Sequence, residues 1–232
     1  MRMRPLSSKE LNKILEKHKK WLSNEEDGER AILRDVDLQN VDLRQADLRS
    51  ANLKSANLKS ADLKYADLKY AHLQYADLKY TDLQKSDLRK ADLRCAILQC
   101  ADLRKAVLSA ANFRKADLQN SFLQEANLRN VNLYDAKLRY VQRPWLVYAG
   151  NIGSRRSETL YFADYDNVRC GCWNNYIGGT LAEFKERIDE VYPADSKSEK
   201  YQRYRTEYLS AVKMFESMRE AYLKSAEEEK GQ

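Results

Sequence analysis

The most regular feature of the chain is a hydrophobic pattern that repeats every five residues. Leucine stands at every fifth position from Leu33 to Leu138, with Phe113 as the single replacement, which gives 22 consecutive units. Two residues before each leucine stands a small side chain, usually alanine, and the position between them is mostly Asp or Asn, as in Ala51-Asn52-Leu53. An internal repeat of this length decides the predicted fold of the whole region.

A period of five excludes both a straight α-helix and a flat strand. On a helix, each five-residue step would rotate the leucines by about 140°, so they would spread over every face. On a strand, side chains alternate, so an odd period would send successive leucines to opposite faces. Both objections disappear if the chain turns a corner once per unit. The pattern therefore predicts a β-solenoid whose narrow interior holds one large and one small side chain per unit.

The unit Ala-(Asp/Asn)-Leu-x-x resembles that of the pentapeptide-repeat family, and the resemblance covers residues 31–140. It implies a mainly β fold, namely a right-handed, quadrilateral parallel β-helix with four units in each coil. The repeats would make about 5.5 coils and a rod roughly 26 Å long. Three regions are expected: an N-terminal capping helix and linker (1–30), the solenoid (31–140) and a C-terminal α+β module (141–232).

A helix is predicted before the repeats, where an open end of the coil ladder needs a cap. Ser7 followed by Glu10 forms a capping box, and the apolar residues of 11–22 share a helical stripe that includes His18. The stretch from Asn24 to Gly28 then breaks the helix. This segment is similar to the leader of bacterial and phage-encoded pentapeptide-repeat proteins.

After residue 140 the five-residue register stops, and a different fold is predicted. Three strands are expected over residues 146–149, 159–162 and 168–173. Thr180 and Glu183 form a second capping box that opens a helix ending before Pro193. A last helix is predicted over residues 198–228, with aromatic and apolar side chains along one side of its residues 201–222.

Three motifs of this C-terminal region resemble a small module attached to many phage and prophage proteins. They are Ile152-Gly153-Ser154-Arg155-Arg156, Gly171-Cys172-Trp173 and Gly179-Thr180-Leu181-Ala182-Glu183-Phe184. In the usual form Gly-Cys-aromatic is followed almost directly by Gly-Thr-Leu, whereas residues 174–178 intervene here. The resemblance supplies no biochemical role. We expect the module to offer a second contact surface or a surface for homodimerisation.

Charge is nearly balanced along the repeats. The chain carries 41 basic and 35 acidic residues, and the solenoid accounts for 19 and 14 of them. The residue after the leucine is Lys or Arg in 14 units, and the residue before it is Asp in 11. Both positions point outward, so each side is expected to carry acidic and basic stripes that largely neutralise one another.

This balance bears on the best-known activity of the family, in which an acidic rod mimics duplex DNA and binds DNA gyrase. Mimicry needs uncompensated negative charge, which the paired stripes do not offer. Nucleic-acid binding through the Lys and Arg columns, with tyrosines as stacking groups, is weakened by the interleaved Asp. Gyrase binding and weak nucleic-acid binding are therefore kept as alternatives to the main prediction.

No catalytic, cofactor or metal site is predicted, and the chain is not expected to be an enzyme. His18 and His72 have no nucleophile or base beside them in a recognisable motif. The Cys-x4-Cys pair at Cys95 and the Cys-x-Cys pair at Cys170 do not match zinc-site spacing, so free thiols are expected. No glycine-rich phosphate loop occurs.

A cytoplasmic location without membrane contact is expected. Mean hydropathy is −0.76, and no apolar run approaches the roughly 18 residues that a membrane span requires. The start Met-Arg-Met-Arg-Pro is not followed by the apolar core of a signal peptide.

The sequence therefore predicts a non-catalytic protein-binding scaffold whose partner is not identified. Function is expected where outer positions depart from the repeat's own consensus. One departure is a belt of tyrosines with one on each side of a single coil; the other is a set of apolar residues where Asp or Asn belongs. The candidate interaction surface consists of Tyr65, Tyr70, Tyr75, Tyr80, Ile97, Val107 and Phe122. The alternative is that the tyrosines stack on neighbouring coils and the C-terminal module covers the apolar three.

Overall fold

The repeats stack as parallel coils of equal length. This computed structural model describes residues 3–142, 146–152, 157–163, 166–170 and 178–230. Backbone bridges join each residue before a leucine to the residue 20 positions later, throughout residues 32–142. The amide of Leu63 donates to the carbonyl of Asp82 (2.7 Å), and the amide of Asp82 donates to the carbonyl of Ala61 (3.0 Å). Four units therefore make one coil, the coil length that the family resemblance implies.

The interior of the coils is filled as the five-residue pattern predicts. The leucines from Leu33 to Leu133 and Phe113 are buried, whereas Leu138 in the last coil is half-buried. Three of the small positions hold hydroxyl side chains that are also fully buried, namely Thr81, Ser86 and Ser121. Thr81 donates to the carbonyl of Leu58 (2.8 Å), and Ser86 donates to the carbonyl three residues before it (2.6 Å). These bonds satisfy two of the three buried hydroxyls, whereas the Oγ of Ser121 has no hydrogen-bond partner among the described residues.

Each corner of the coil is a tight turn with a left-handed residue. The fifth residue of every unit, from Asp35 to Tyr140, has a φ between 55° and 61°, although none is glycine. The leucine carbonyl accepts a hydrogen bond from the amide three residues later, as from Ala46 to Leu43 (3.1 Å). A positive φ at the third residue is the mark of a type II turn. Each such residue costs roughly 1–2 kcal/mol in an L-amino acid, which the ladder must offset.

The N-terminal segment extends the first coil. A two-residue strand, β1 (Arg4–Pro5), pairs in parallel with β2 (Val36–Asp37). Helix α1 (Ser8–Leu22) follows, and its capping box of Ser7 and Glu10 is confirmed. Gly28 lies so close to the helix that a Cβ there would stand 2.5 Å from the backbone nitrogen of Trp21. The turn after α1 therefore requires glycine.

The chain divides into two compact units, Met1–Arg143 and Pro144–Gln232. The second contains an antiparallel sheet in the order β3-β4-β5, followed by two helices. The elements are β3 (Leu146–Ile152), β4 (Ser157–Phe162), β5 (Asn167–Cys170), α2 (Leu181–Val191) and α3 (Glu199–Lys230). The predicted capping box of Thr180 and Glu183 is confirmed. β3 and β4 are longer than expected, and residues 171–173 of the predicted third strand lie outside the described residues.

The core of the second unit is aromatic. Strand and helix residues meet in one cluster that includes Tyr161, Val168, Phe184, Ile188, Tyr208, Val212 and Phe215. Tyr208 and Phe215 belong to the predicted stripe of α3, although Tyr201 at its start is 43% exposed. Of the three motifs that resemble the phage module, Gly171-Cys172-Trp173 and residues 153–156 lie outside the part of the chain that the structure describes. No helix among the described residues is long and apolar enough to cross a membrane.

Candidate functional site

The four tyrosines of the predicted belt occupy successive corners of the solenoid. Each is the left-handed fifth residue of its unit, and each is between 51% and 59% exposed. Residues share a column only when they are 20 apart, so the four rings belong to four different columns. The belt thus surrounds the coils and does not form one continuous patch.

Lysine side chains cover the belt tyrosines. The four ammonium-to-ring-centre pairs are Lys85–Tyr65 at 5.2 Å, Lys90–Tyr70 at 5.3 Å, Lys54–Tyr75 at 5.9 Å and Lys59–Tyr80 at 5.9 Å. Lys85 also donates to the hydroxyl of Tyr65 (3.2 Å). At such distances an ammonium group is attracted to the ring face. Each of these lysines belongs to a neighbouring coil, so the rings contact neighbouring coils through lysine side chains, as the alternative expects.

The three apolar departures lie apart from one another. Ile97, Val107 and Phe122 are half-buried and bridge to Asp77, Asp87 and Asp102 of the preceding coil. These pairings place them in three different columns. The structure therefore does not bring the apolar three together into a single surface.

The Asp or Asn before each leucine has a structural task that the charge pattern did not reveal. At all 16 units with Asp or Asn in this position, its Oδ1 accepts a hydrogen bond from the backbone N–H two residues later; the amides are those of residues 39, 44, 49, 54, 59, 64, 69, 79, 84, 89, 94, 104, 114, 119, 129 and 134. This is the Asx-turn, in which a side chain replaces a backbone acceptor. Because Asn serves as well as Asp, the turn requires the oxygen and not the charge.

The predicted ion pairs between the outer stripes are present. Arg104 donates two hydrogen bonds to Asp102, from Nη2 to Oδ2 (2.6 Å) and from Nε to Oδ1 (2.9 Å). Equivalent Arg–Asp pairs occur at Asp42, Asp47, Asp87 and Asp92. Hydrogen bonds from Arg44 lower the pKa of Asp42 to about 2. At Asp102 burial works to raise the pKa, but the hydrogen bonds from Arg104 outweigh it and the pKa falls below its usual value.

One side of the solenoid departs from this balance, so the expectation that every side is neutralised is wrong there. The column before its leucines contains a single carboxylate, Asp92, at residues 32–132. A surface groove of about 460 Å³ lies on this side, and we call it the basic groove. Its lining includes Lys54, His72, Tyr75, Arg94, Arg114 and Lys115. Reading every twentieth residue of the sequence would have revealed this side.

His18 serves the N-terminal cap. It is fully buried, and its Nδ1 accepts a hydrogen bond from the amide of Ala31, the first residue of the first coil (3.1 Å). Burial lowers the pKa of His18, which favours the neutral ring that this acceptor role requires. Its ring stacks on Trp21 with centres 5.5 Å apart.

Cys95 and Cys100, the two cysteines whose side chains the structure describes, belong to no recognisable metal site. Cys95 and Cys100 are free thiols at adjacent corners, both half-buried. The structure describes neither the side chain of Cys170 nor any part of Cys172. Within the described ranges no group of three or more His, Cys, Asp or Glu side chains is arranged to hold a metal ion.

Stacked four-unit coils, a leucine-and-alanine interior and Asx-turn corners define a repeat protein of the β-solenoid class. The family model for pentapeptide repeats matches residues 31–69, 71–109 and 106–141, in eight copies in total. The chain belongs to the pentapeptide repeat family.

Solved structures similar to the chain are themselves pentapeptide repeat proteins. Rfr23 from the cyanobacterium Cyanothece 51142 shares 34% identity over 40% of this chain and 60% of its own, with a TM-score of 0.33. HetL from Nostoc sp. strain PCC 7120 is involved in regulation of heterocyst differentiation. It shares 30% identity over 49% of this chain and 62% of its own, with a TM-score of 0.30. A thylakoid-lumen protein from Arabidopsis thaliana shares 30% identity over 46% of this chain and 71% of its own, with a TM-score of 0.29.

The first two of these matches each cover only about three fifths of the other protein's length. A search of curated proteins finds no match to this chain.

Proposed function

We propose that the chain is a non-catalytic protein-binding scaffold, in which a right-handed, four-sided β-solenoid displays variable side chains around a fixed interior. The contrast within each unit carries this proposal: the leucine and the small residue are buried, whereas the fifth residue points outward and varies. Turn and ladder are made by backbone groups and by the Asx side chain. Outer side chains can therefore change without disturbing the core.

Tyrosine at four consecutive corners supports a binding role for the outer surface. Tyrosine offers a large contact area with few rotatable bonds, and such residues dominate many protein interfaces. The lysine above each ring adds positive charge beside apolar surface. The belt is therefore suited to a partner that presents carboxylates next to apolar groups.

Partner capture with matched tyrosine variants tests the scaffold function. Proteins captured from a bacterial lysate by the wild-type chain would be compared with those captured by Tyr70→Ser/Tyr75→Ser, and each specific partner would be purified and titrated. The control is Tyr140→Ser, which removes an exposed tyrosine outside the belt. We expect the belt variant to lose the partner and the control to keep it. Unchanged binding by a stably folded belt variant would remove the belt from the binding surface.

The DNA-mimic alternative is disfavoured by the pairing of the repeat carboxylates. Asp87, Asp92 and Asp102 each accept two-nitrogen contacts from an arginine, which compensates the negative charge that mimicry requires. We expect no inhibition in a gyrase supercoiling assay with the full chain. Dose-dependent inhibition would favour the mimic instead.

We also propose that the second unit supplies a homodimer contact and that the chain acts in the cytoplasm. Tyr201, Met214 and Leu223 of α3 are between 41% and 46% exposed, which leaves apolar surface for a second copy. Free thiols at Cys95 and Cys100 are typical of a reducing compartment. Sedimentation equilibrium of the wild-type chain and of Met214→Glu/Leu223→Glu tests the dimer; a monomeric wild type would exclude it.

A further inference from the structure

One side of the solenoid has fewer carboxylates before its leucines than the other three sides. Its column before the leucines holds Ile32, Asn52, His72, Asp92, Asn112 and Asn132. Its column after the leucines holds Arg34, Lys54, Gln74, Arg94, Arg114 and Tyr134. Four basic residues thus lie beside one carboxylate in these two columns, whereas the column before the leucines of every other side contains three or four Asp. The corner column of this side adds Asp35, Lys115 and Asp135.

The one carboxylate of these two columns is already engaged, and Asp35 of the corner column pairs with Arg34 (2.8 Å). Asp92 accepts from Nη2 of Arg94 at 2.7 Å and from Nε2 of Gln74 at 2.6 Å. Among the described residues, neither Lys54, Arg114 nor Lys115 forms an ion pair with a carboxylate. Three positive charges therefore line the basic groove without compensation.

The basic groove has the dimensions of a short extended chain. Its cations run from Lys54 to Arg114, which are three coils apart, or about 14 Å at the spacing of neighbouring strands. An extended peptide rises roughly 3.3 Å per residue, so about four residues would cover this distance. Tyr75 forms part of the wall, and the amide side chains of Asn52 and Gln74 lie beside the cations.

We propose that the basic groove binds an acidic peptide segment of a partner protein, with Lys54, Arg114 and Lys115 pairing with its carboxylates. This binding rests on the scaffold function proposed for the chain, because a partner protein supplies the peptide. Arg94 is held in place by Asp92 and adds a fixed positive wall. The cost of desolvating a carboxylate on binding is compensated where several cations lie together, as Lys54, Arg114 and Lys115 do on this side.

A nucleic acid fits the groove less well than a peptide. Base stacking would need the ring face of Tyr75, but the ammonium group of Lys54 already lies 5.9 Å from the ring centre. A strand longer than two or three nucleotides would extend beyond the cations.

Fluorescence polarisation with labelled hexaglutamate tests the groove on the full chain. The variant Arg114→Gln/Lys115→Gln removes two charges of the groove, and the matched control Lys59→Gln/Lys79→Gln removes two charges of the next side. At about 50 mM salt we expect saturable binding to the wild type, a loss of at least about tenfold in the groove variant and a change below about twofold in the control. Labelled hexaglutamine should not bind.

Three results would overturn the assignment. They are no binding of hexaglutamate, equal loss in both variants, which would mean attraction by net charge alone, or tighter groove-dependent binding of a dT12 oligonucleotide. Failure of the groove is separable from failure of the scaffold, because a partner captured through the belt would still bind Arg114→Gln/Lys115→Gln, which leaves the lysines above the belt tyrosines in place. Far-UV melting curves of all variants should coincide, since both double substitutions lie outside the buried interior.

Discussion

The two units of the chain use the same residue, tyrosine, in opposite ways. In the repeats the belt tyrosines are more than half exposed and contact lysines, whereas Tyr161, Tyr192 and Tyr208 of the second unit are buried. There they pack ring to ring, with the centres of Tyr192 and Tyr208 5.7 Å apart. The environment of a tyrosine is therefore set by its place in the local pattern and not by its hydrophobicity.

The difference follows from the space that each architecture encloses. A coil of four short sides leaves room for one leucine and one small residue per unit, so a phenol ring at the fifth position must point outward. A sheet covered by two helices encloses a wider layer, which large rings fill. Substitutions of tyrosine should consequently be tolerated in the repeats and damaging in the second unit.

The largest expected effect is the loss of the repeat interior. Leu78→Lys places a charge in a fully buried position, and we expect it to unfold the first unit or to lower its free energy of unfolding by more than ~3 kcal/mol. Lys79→Leu, one residue away but outward, is the control and should change the free energy by less than ~1 kcal/mol. Urea denaturation followed by far-UV circular dichroism measures both. A stable Leu78→Lys variant would contradict the buried interior.

The tyrosine comparison itself is sharpened by one substitution in each unit. Tyr208→Ser removes a ring that is 6% exposed and packs edge-on against Phe184, so we expect a loss of about 3 kcal/mol. Tyr70→Ser removes a ring that is 51% exposed and should lower the free energy of unfolding by less than ~1 kcal/mol. Thermal melts of the two variants give the comparison. Equal losses would show that the belt is part of a core.

A smaller effect separates the backbone role of Asp from its charge. Asp102→Ala removes the acceptor for the Arg104 amide (3.1 Å), and we expect a loss of about 1 kcal/mol. Asp102→Asn keeps an oxygen at this place and loses mainly an exposed ion pair, so its effect should stay below ~0.5 kcal/mol. Urea midpoints of the two variants decide the point. If both variants lose the same amount, the ion pair and not the turn is what matters.

The smallest expected effect is a pH dependence of the N-terminal cap. The folded pKa of His18 lies below that of the unfolded chain because the ring is buried, with Asp47, Arg30 and Arg49 as the nearest charges. Its contribution to stability is therefore complete above about pH 6.5 and is lost as the pH falls from there towards the folded pKa. The carboxylates with lowered pKa values act only below about pH 4, a separate window. Urea midpoints between pH 7.5 and 5.5 should fall in the wild type and stay constant in His18→Gln; equal slopes would contradict this role.

Capping boxes and the buried leucines could be predicted from the sequence, because they depend on local or periodic patterns. Strand β1 and the basic groove could not, because they depend on which residues the coils bring together. The capping boxes at Ser7 and Thr180 are set by residues three apart, and the buried leucines follow directly from the period. β1 could not be predicted, because Arg4-Pro5 has no strand pattern of its own. It is a strand only because it pairs with Val36–Asp37 of the first coil. The basic groove is not evident from the net charge of the repeats, because its residues share a side only at every fourth unit.

The return of the chain to the same side after every four units is the central claim, because it decides which outer side chains share a face and so underlies the basic groove. Scalar couplings across hydrogen bonds, measured by NMR between amide nitrogen and carbonyl carbon, test it directly. The amide of Leu63 should couple to the carbonyl of Asp82 and that of Leu93 to the carbonyl of Asn112, in each case in the following coil. Coupling of these two leucine amides to carbonyls at any other sequence separation would contradict the account, since Lys54, Arg94 and Arg114 would then not stand on one side.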